Sequence, residues 1–275
     1  MAMSRFAVIG SPVAHSLSPV MHNAVFARLG MDATYGALDV RPEDFASTVE
    51  GLRHSDYVGL SVTMPHKDAA LRISDDVSDE ARRVGAVNTL SFVDGRIVGH
   101  STDGSGCVRA LEHHGILVDG SRCAVLGAGG AARSVIVALA ARGARDVVVV
   151  NRTHAKALTA IEGIDRCRVG TVDDLVGAQV VVNCTSVGMG NSESPVPRES
   201  LRGVGCVLDA VYFPLRTSLL DDAVACGAIG VDGLWMLVYQ AVEQQRIRFG
   251  HAVDPVVMRD AALAELARRG NDPTL

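Results

Sequence analysis

The segment RCAVLGAGGAARSVIVALAARGARDVVVVNR, residues 122–152, constrains the fold more than any other part of this chain. A short apolar run ends in a glycine-rich turn, an alanine-rich run without proline follows, and a second apolar run closes the segment. This order predicts a βαβ unit of about 30 residues. The helix N-terminus of such a unit offers backbone N–H groups and positive potential to a pyrophosphate. The glycines that let the backbone approach it are Gly127, Gly129 and Gly130.

The end of the second predicted strand indicates which dinucleotide binds. An acidic residue at this point usually reads the ribose 2′-OH of NAD. This chain has Asn151, Arg152 and Thr153 there, with Lys156 one helical turn later. Two cations and two hydrogen-bonding side chains suit a 2′-phosphate, so the sequence predicts NADP. The alternative is an ordinary turn between strand and helix whose charges are solvated.

Composition excludes several classes of protein. The chain has 275 residues, of which 48% are hydrophobic and 21% charged, so we expect a globular protein, more readily of two domains than of one. The net charge of −5 gives no reason to expect nucleic acid or an anionic membrane as a partner. The nine histidines and six cysteines lack metal-ligand spacing, which predicts no metal. We expect a cytoplasmic protein, because neither a signal peptide nor a membrane-spanning run is evident.

Strands and helices alternate on both sides of the glycine turn. The strands predicted before it are 6–9, 35–40, 58–63 and a hairpin around Asp94-Gly95, and those after it are 166–169, 179–183 and 204–209. The pattern predicts an α/β fold of two β/α domains. The first is N-terminal, and the second is a Rossmann-like, doubly wound nucleotide domain.

Polar side chains that could bind a substrate or take part in a reaction occur in four segments. They are Ser16 and Ser18, Thr63 and Lys67, Asn88, and Asp103. Because loops at the carboxyl ends of strands converge, we expect these segments to meet. Lys67 follows Pro65 at a predicted helix start, where positive potential and burial favour the neutral amine that acid–base chemistry needs. Asp103 is expected to orient it. The alternatives are a solvated surface lysine at Lys67, a helix N-cap at Ser18 and a satisfied strand-end amide at Asn88.

Eight motifs occur together and in a fixed order. They are GSPVAHSLSPVMHNA (10–24), GLSVTMPHK (59–67), GAVNT (85–89), STDGSG (101–106), GAGGAAR (127–133), NRT (151–153), NCTSVGM (183–189) and DGLWMLVYQA (232–241). Through them the chain resembles the shikimate dehydrogenase family over nearly its whole length. The resemblance implies an enzyme that interconverts 3-dehydroshikimate and shikimate with NADP, on the chorismate pathway to aromatic amino acids. It implies a small-molecule substrate, and leaves a monomer and a homodimer open.

The resemblance also implies a domain map and a role for each site residue. The substrate domain would comprise 1–102 and 234–275, because the C-terminal helices return to it, and the nucleotide domain would be 103–233. Lys67 would be the acid–base group, paired with Asp103. Substrate contacts would come from Ser16, Ser18, Thr63, Asn88, Tyr212 and Gln240. Cofactor contacts would come from Gly127, Gly129, Gly130 and Ala131, from Asn151, Arg152, Thr153 and Lys156, and from Thr185, Ser186, Val187, Gly233 and Met236.

Three alternatives remain open within this interpretation. The substrate could be quinate or an aminated ring, although the absence of an acidic residue near Asn151 and Arg152 disfavours the NAD-linked quinate enzymes. The chain could also be a non-catalytic regulatory module on the same fold. Trp235 stands where family members often carry a small residue. We expect its indole either to narrow the cofactor end of the cleft or to pack in the domain interface.

Overall fold

The structure is a computed structural model that describes residues 3–250 and 253–270. The described residues form two compact units, one within Met1–Thr102 and Ala241–Gly270 and the other within Asp103–Gln240. The domain map with boundaries at 102/103 and 233/234 stays a prediction, and its residues 1–2, 251–252 and 271–275 lie outside the described residues.

The first unit is built on a mixed six-stranded sheet. Its strands are β1 Ser4–Gly10, β2 Ala33–Asp39, β3 Tyr57–Val62, β4 Asp76–Val77, β5 Thr89–Val93 and β6 Arg96–His100. Their order is β2-β1-β3-β5-β6-β4; β1 runs parallel to β2 and β3, whereas β5 is antiparallel to β3 and β6. The predicted hairpin is confirmed, with both Asp94 and Gly95 at positive φ in the turn between β5 and β6.

Four helices connect these strands, namely α1 Ser18–Leu29, α2 Phe45–Arg53, α3 Lys67–Ile73 and α4 Asp79–Val84. Side chains of β1 alternate between two cores, because successive residues of a strand point to opposite faces. Ala7 and Ile9 pack with Phe45 and Leu60 in one core, whereas Phe6 and Val8 belong to the other. The sheet is therefore covered on both faces.

The second unit is built on a parallel six-stranded sheet. Its elements are α5 Asp103–His113, β7 Arg122–Leu126, α6 Gly130–Ala141, β8 Asp146–Val150, α7 His154–Ile161, β9 Cys167–Val169, β10 Val180–Asn183, β11 Cys206–Asp209, α8 Ser218–Ala225 and β12 Ile229–Val231. The strand order is β12-β11-β10-β7-β8-β9. The central strands are near-continuously apolar because the sheet is buried on both faces.

This strand order has a direct functional meaning. If the six strands are numbered 1 to 6 in chain order from β7 to β12, their order across the sheet, starting from β9, is 3-2-1-4-5-6. This is the strand order of dinucleotide-binding domains. Strands β8 and β9 follow on one side of β7, and β10, β11 and β12 follow on the other, so the strand order switches between β7 and β10. Ligands of such folds bind outside the carboxyl ends of the strands at that switch point. The predicted α/β class and doubly wound nucleotide sheet are confirmed.

Two helices complete the chain, α9 Gly233–Phe249 and α10 Pro255–Arg268. The contact division falls within α9, after Gln240. In the first unit α10 packs against α1, as predicted for the C-terminal helices, whereas α9 up to Gln240 belongs to the second unit. Among residues 3–250 and 253–270, no helix combines the length and hydrophobicity of a membrane span.

Candidate active site

In the first unit, polar segments collect at one edge of the sheet. The register pairs Ile9 with Val62, and Thr89 with both Ser61 and His100. The carboxyl ends of β1, β3 and β6 and the start of β5 therefore lie side by side. Thr63, the residue after β3, donates its N–H to the carbonyl of Ile9 at 3.0 Å. The predicted segments at 63–67 and 88 thus share this edge, whereas the predicted Asp103 belongs to the second unit.

Lys67 is half-buried and is the first residue of α3. Its carbonyl accepts the N–H of Val87 at 3.1 Å, which ties the helix start to the residue before Asn88. The preceding residue, His66, is buried, donates from Nε2 to the carbonyl of Val40 at 2.7 Å and stacks on Phe45 at 4.5 Å. The backbone of Lys67 is therefore held from both sides.

Asn88 is buried and closely hydrogen-bonded. Its Oδ1 accepts from Thr102 N at 2.9 Å and from Thr89 Oγ1 at 2.9 Å, and its Nδ2 donates to Thr102 Oγ1 at 2.9 Å. These bonds match the alternative of a satisfied strand-end amide. Its predicted role in binding a ring hydroxyl stays a prediction.

The two serines after β1 have different local roles. Helix α1 begins at Ser18, with Leu17 at the cap position, so the interpretation of Ser18 as an N-cap is wrong. It is the Oγ of Ser16 that accepts the N–H of Ser18, at 3.2 Å. Ser18 itself is buried and Ser16 is half-buried. Pro19 is then the second helical residue, where its missing N–H removes no intrahelical hydrogen bond.

In the second unit, Gly127 brings three segments together. Its φ of 109° lies in a region that side chains disfavour, and its N–H donates to Val150 O at 2.9 Å. A Cβ at this position would lie 3.3 Å from Cγ2 of Thr185. Helix α6 then begins at Gly130, behind the extended Gly129, with Ala131 half-buried in its first turn. A tight turn leading into a helix N-terminus fits a pyrophosphate.

The segment after β8 presents free positive charge. Asn151 Nδ2 donates to Thr153 O at 2.9 Å and so shapes the turn. Arg152 and Lys156 are exposed, and neither side chain has an ion pair or hydrogen bond within the described part of the chain. Several other exposed arginines pair with carboxylates, for example Arg142 with Glu112 and Arg168 with Asp174. The two uncommitted cations fit a phosphate dianion.

The segment after β10 is held by a buried hydrogen-bond network. Asn183 Oδ1 accepts from Thr185 N at 3.0 Å and Thr185 Oγ1 at 2.8 Å, and Thr185 Oγ1 accepts from Val187 N at 3.2 Å. Asn183 Nδ2 donates to Asp209 Oδ1 at 2.9 Å. Burial raises the pKa of Asp209, and hydrogen bonds from Thr217, from the Val211 backbone and from Asn183 oppose that shift. Ser186 is exposed and Val187 is half-buried, so this loop reaches the surface of the unit.

The remaining predicted residues also lie in the second unit. Asp103 is the buried first residue of α5, and Tyr212 is half-buried after β11. Gly233 and Met236 belong to the first turn of α9, and buried Gln240 donates from Nε2 to Leu237 O at 2.8 Å. The pairing of Lys67 with Asp103 stays a prediction, as do the contacts of these residues with substrate and cofactor.

Trp235 packs within the second unit. Its ring centroid lies 4.0 Å from that of His113 and 5.9 Å from that of Tyr239, whose hydroxyl bonds to Nδ1 of His113 at 2.9 Å. The indole joins α9 to α5. These contacts favour a packing role for Trp235.

Two family models match the sequence. Residues 8–90 match the model described as the shikimate dehydrogenase substrate binding domain, and residues 110–187 match shikimate / quinate 5-dehydrogenase. Shikimate dehydrogenase (NADP(+)) of Thermococcus kodakarensis is 45% identical over 262 residues, which are 94% of this chain and 95% of that protein. The chain belongs to the shikimate dehydrogenase family.

Solved structures of related proteins have the same fold. Shikimate 5-dehydrogenase of Thermus thermophilus, crystallised with NADP(H) and shikimate, is similar with a TM-score of 0.89 and 41% identity over 94% of this chain and 98% of that chain. The ligand-free 5-ketofructose reductase of a Gluconobacter strain is similar with a TM-score of 0.86 and 32% identity over 95% and 98%. Proteins of this fold therefore differ in their named substrates, and the site residues must carry specificity.

One signal in this shikimate dehydrogenase family member strengthens the assignment of Lys67. Of its 26 basic residues other than histidine, 24 are arginine and only two are lysine, Lys67 and Lys156. Arginine can replace lysine as a cation, but it does not release its proton in proteins. Lys67 is therefore one of only two basic side chains, apart from the histidines, that can release a proton, and it is the one at the polar edge of the first unit.

The sequence reasoning missed two buried polar clusters. One is the Asn183–Asp209 network, which the polar residue at the end of each predicted strand signals. The other lies in the first unit, where Tyr35 donates to Ser61 at 2.5 Å, Ser61 donates to Gln244 at 2.6 Å and Arg248 Nη2 donates to Ser61 at 3.4 Å. No local pattern signals the second cluster, because its members come from β2, β3 and α9. Within residues 3–250 and 253–270, no group of three or more His, Cys, Asp or Glu residues is arranged to hold a metal.

Proposed function

We propose that this protein is an NADP-dependent shikimate dehydrogenase that reduces 3-dehydroshikimate to shikimate and catalyses the reverse oxidation. The observation that carries the proposal is a lysine retained at the polar edge of the first unit in a chain of 24 arginines. Family membership supports the substrate, since relatives over 94% of the chain carry this name. We place the reaction on the chorismate pathway to aromatic amino acids.

The residues of the second unit fit the proposed cofactor. Gly127, Gly129, Gly130 and Ala131 would hold the pyrophosphate at the start of α6, where backbone N–H groups are available. Asn151, Arg152, Thr153 and Lys156 would hold the 2′-phosphate. Thr185, Ser186, Val187, Gly233 and Met236 would line the nicotinamide end. Bound there, NADPH supplies the hydride that the reduction requires.

In the first unit, Lys67 would exchange the proton. During reduction its ammonium group donates a proton to the substrate oxygen, and during oxidation its amine accepts that proton. The bonds made by its own carbonyl and by His66 fix the backbone from which the side chain extends. Ser16 and Ser18 would bind the substrate carboxylate. Thr63, Asn88, Tyr212 and Gln240 would contact other parts of the ring, and Asp103 would partner the lysine.

A substrate panel tests this function. Purified protein is assayed with shikimate and with quinate, each with NADP and with NAD, and the four values of kcat/KM are compared. Shikimate with NADP is expected to give the highest value. A higher value for quinate would move the protein to the quinate branch of the family. The absence of turnover with every pair, in protein that binds NADP, would favour the non-catalytic alternative.

A further inference from the structure

The carboxylate of Asp209 uses its two oxygens for different purposes. Oδ1 accepts from Asn183 Nδ2 at 2.9 Å and from Val211 N at 3.1 Å. Oδ2 accepts from Thr217 Oγ1 at 2.6 Å, and the same hydroxyl caps α8 by accepting the N–H of Leu220 at 3.3 Å. Asp209 and Asn183 are both fully buried. One oxygen therefore faces the end of β10, and the other faces the start of α8.

Asn183 connects Asp209 to the loop that follows β10. Its Nδ2 is directed to Asp209, which turns its Oδ1 towards the chain beyond. That oxygen accepts both the backbone N–H and the hydroxyl of Thr185, at 3.0 and 2.8 Å. The Thr185 oxygen in turn accepts Val187 N at 3.2 Å. Because the hydroxyl hydrogen of Thr185 is used inside the loop, this side chain shapes the segment and does not donate to a ligand.

The position of the loop in the sheet indicates which half of a dinucleotide it meets. A doubly wound sheet of this order consists of two mononucleotide-binding halves. The glycine turn after β7 and the cationic segment after β8 belong to the half that takes the adenosine phosphates. Strands β10 and β11 belong to the other half and are neighbours in register, with Asn183 beside Asp209. The loop after β10 therefore serves the nicotinamide end.

We propose that Asp209 is a positioning residue for the nicotinamide half of the cofactor. It acts through Asn183 and holds the segment Thr185–Val187 in the conformation that the nicotinamide ribose and ring meet. The inference rests on the proposed function, since it assumes NADP as the cofactor. The inference gives Asp209 a different role from residues proposed to bind the adenosine half, such as Arg152. Substitution of Asp209 should therefore weaken binding of the nicotinamide half of NADP and leave binding of the adenosine half unchanged.

Two ligands separate the halves of the site. NADP⁺ carries both halves, whereas adenosine 2′,5′-bisphosphate carries the 2′-phosphate but lacks the nicotinamide. Isothermal titration calorimetry with each ligand compares the wild-type protein with Asp209→Ala. The variant is expected to bind NADP⁺ roughly 10- to 100-fold more weakly, the effect of losing a hydrogen bond to a buried charged group. Its affinity for the bisphosphate should stay within about twofold of the wild type, because that ligand does not reach the loop.

Three further variants separate positioning from folding. Asp209→Asn retains an Oδ1 acceptor for Asn183 and should restore most of the NADP⁺ affinity. Thr217→Val removes only the bond to Oδ2; it should lower Tm through loss of the α8 cap and leave both affinities unchanged. Thr185→Val removes the hydrogen bond between the Thr185 hydroxyl and Asn183 Oδ1 and should also cause a selective loss of NADP⁺ affinity. Because Thr185 is only half-buried, this variant can test the inference even if Asp209→Ala does not fold.

Several outcomes would overturn the inference. Equal weakening of both ligands would show general damage to the second unit. Unchanged NADP⁺ affinity in Asp209→Ala or Thr185→Val would show that the network has no role in binding. A Thr217→Val variant that behaves like Asp209→Ala would assign the effect to α8. Wild-type protein that does not bind NADP⁺ would overturn the proposed function, and this inference with it, whereas the preceding outcomes leave the proposed function intact.

Discussion

The two units hold their functional groups by different means. In the first unit, individual side chains stand at the ends of strands, and the backbone around each one is fixed, as at Lys67 and Asn88. In the second unit, the backbone itself forms the site, through the turn at Gly127 and the helix behind it. We therefore expect substitutions at Lys67 to alter the chemical step, whereas substitutions around the Gly127 turn should alter cofactor affinity.

The units also differ in how they bury charge. In the second unit, Asp209 accepts hydrogen bonds from Thr217, Asn183 and the Val211 backbone, and its negative charge strengthens them. Arg248 in the first unit is poorly matched. Its guanidinium interacts with Tyr35 and makes a long bond of 3.4 Å from Nη2 to Ser61, but its Nε and Nη1 are buried without a hydrogen-bond partner among the described residues. A satisfied charge can position a loop, whereas an unsatisfied one lowers stability.

The largest expected effect comes from Lys67. Lys67→Ala should lower kcat by roughly 10²- to 10⁴-fold, the contribution of a general acid, and change the shikimate KM far less. Lys67→Arg should be nearly as slow, because arginine keeps the charge but does not exchange its proton. Steady-state kinetics measures both, with Arg72→Ala, an exposed residue of the same helix, as the control. Near-normal turnover in either lysine variant would remove Lys67 from the chemistry.

The second largest effect is expected at Arg152 and concerns the preference for NADP over NAD. Arg152→Ala should raise KM for NADP by roughly 10- to 100-fold and change KM for NAD far less, since only NADP carries the 2′-phosphate. The matched control is Arg145→Ala, an exposed arginine at the opposite end of β8. If Arg145→Ala has the same effect, general positive charge explains NADP preference. Equal losses for NADP and NAD in Arg152→Ala would show that this residue does not read the 2′-phosphate.

The third effect concerns the contribution of Arg248 to the free energy of unfolding. Arg248→Met keeps an apolar stem against the Phe6 ring and removes a buried cation whose Nε and Nη1 lack partners among the described residues. The free energy of unfolding should stay the same or rise by about 1–3 kcal/mol, as for other buried charges replaced by apolar residues. Urea denaturation measures it, with exposed Arg246→Met as the control. A loss of more than about 1 kcal/mol would show that Arg248 is a net stabilising residue.

The smallest effect is a pH dependence in the first unit. Burial, and after it the charge of Arg248, lowers the pKa of His22 well below its ordinary value of 6.5. The unfolded chain therefore takes up a proton first as the pH falls, so stability is full above about 6.5 and is lost below that value. The slope contributed by this residue should approach about 1.4 kcal/mol per pH unit. His22→Phe should flatten the change in urea midpoint between about pH 6.5 and 5; an unchanged slope would contradict the assignment.

Much of the second unit can be predicted from sequence because its signals are local. The glycine turn, the apolar strands and the polar ends of β8 and β10 all lie within short stretches of the chain. The strands β4 and β12 escape prediction, because β4 contains a single apolar residue and the apolar residues of β12 are separated by Gly230. Helix α1 starts at Ser18 and not after it, and the sequence does not distinguish the two starts because a proline costs no intrahelical hydrogen bond at either position.

The candidate site is less accessible to sequence reasoning. Lys67 and Asn88 can be identified from their motifs, but the bonds that hold them come from Val87, His66 and Thr102 and depend on strand register. The Arg248 cluster cannot be predicted at all, because residues 35, 61 and 244 meet only in the folded unit. Long-range pairing of this kind leaves no periodic trace in a single sequence.

The scarcity of lysine makes this protein unusually simple to observe by magnetic resonance. Reductive methylation with ¹³C-formaldehyde would label two side chains, one in each unit, besides the N-terminal amine. Lys156→Arg would then assign the spectrum by removing one signal. A single sample would report separately on the amine proposed to transfer the proton and on the amine proposed to bind the phosphate. The protonation of one and the ligand occupancy of the other could be followed in the same titration.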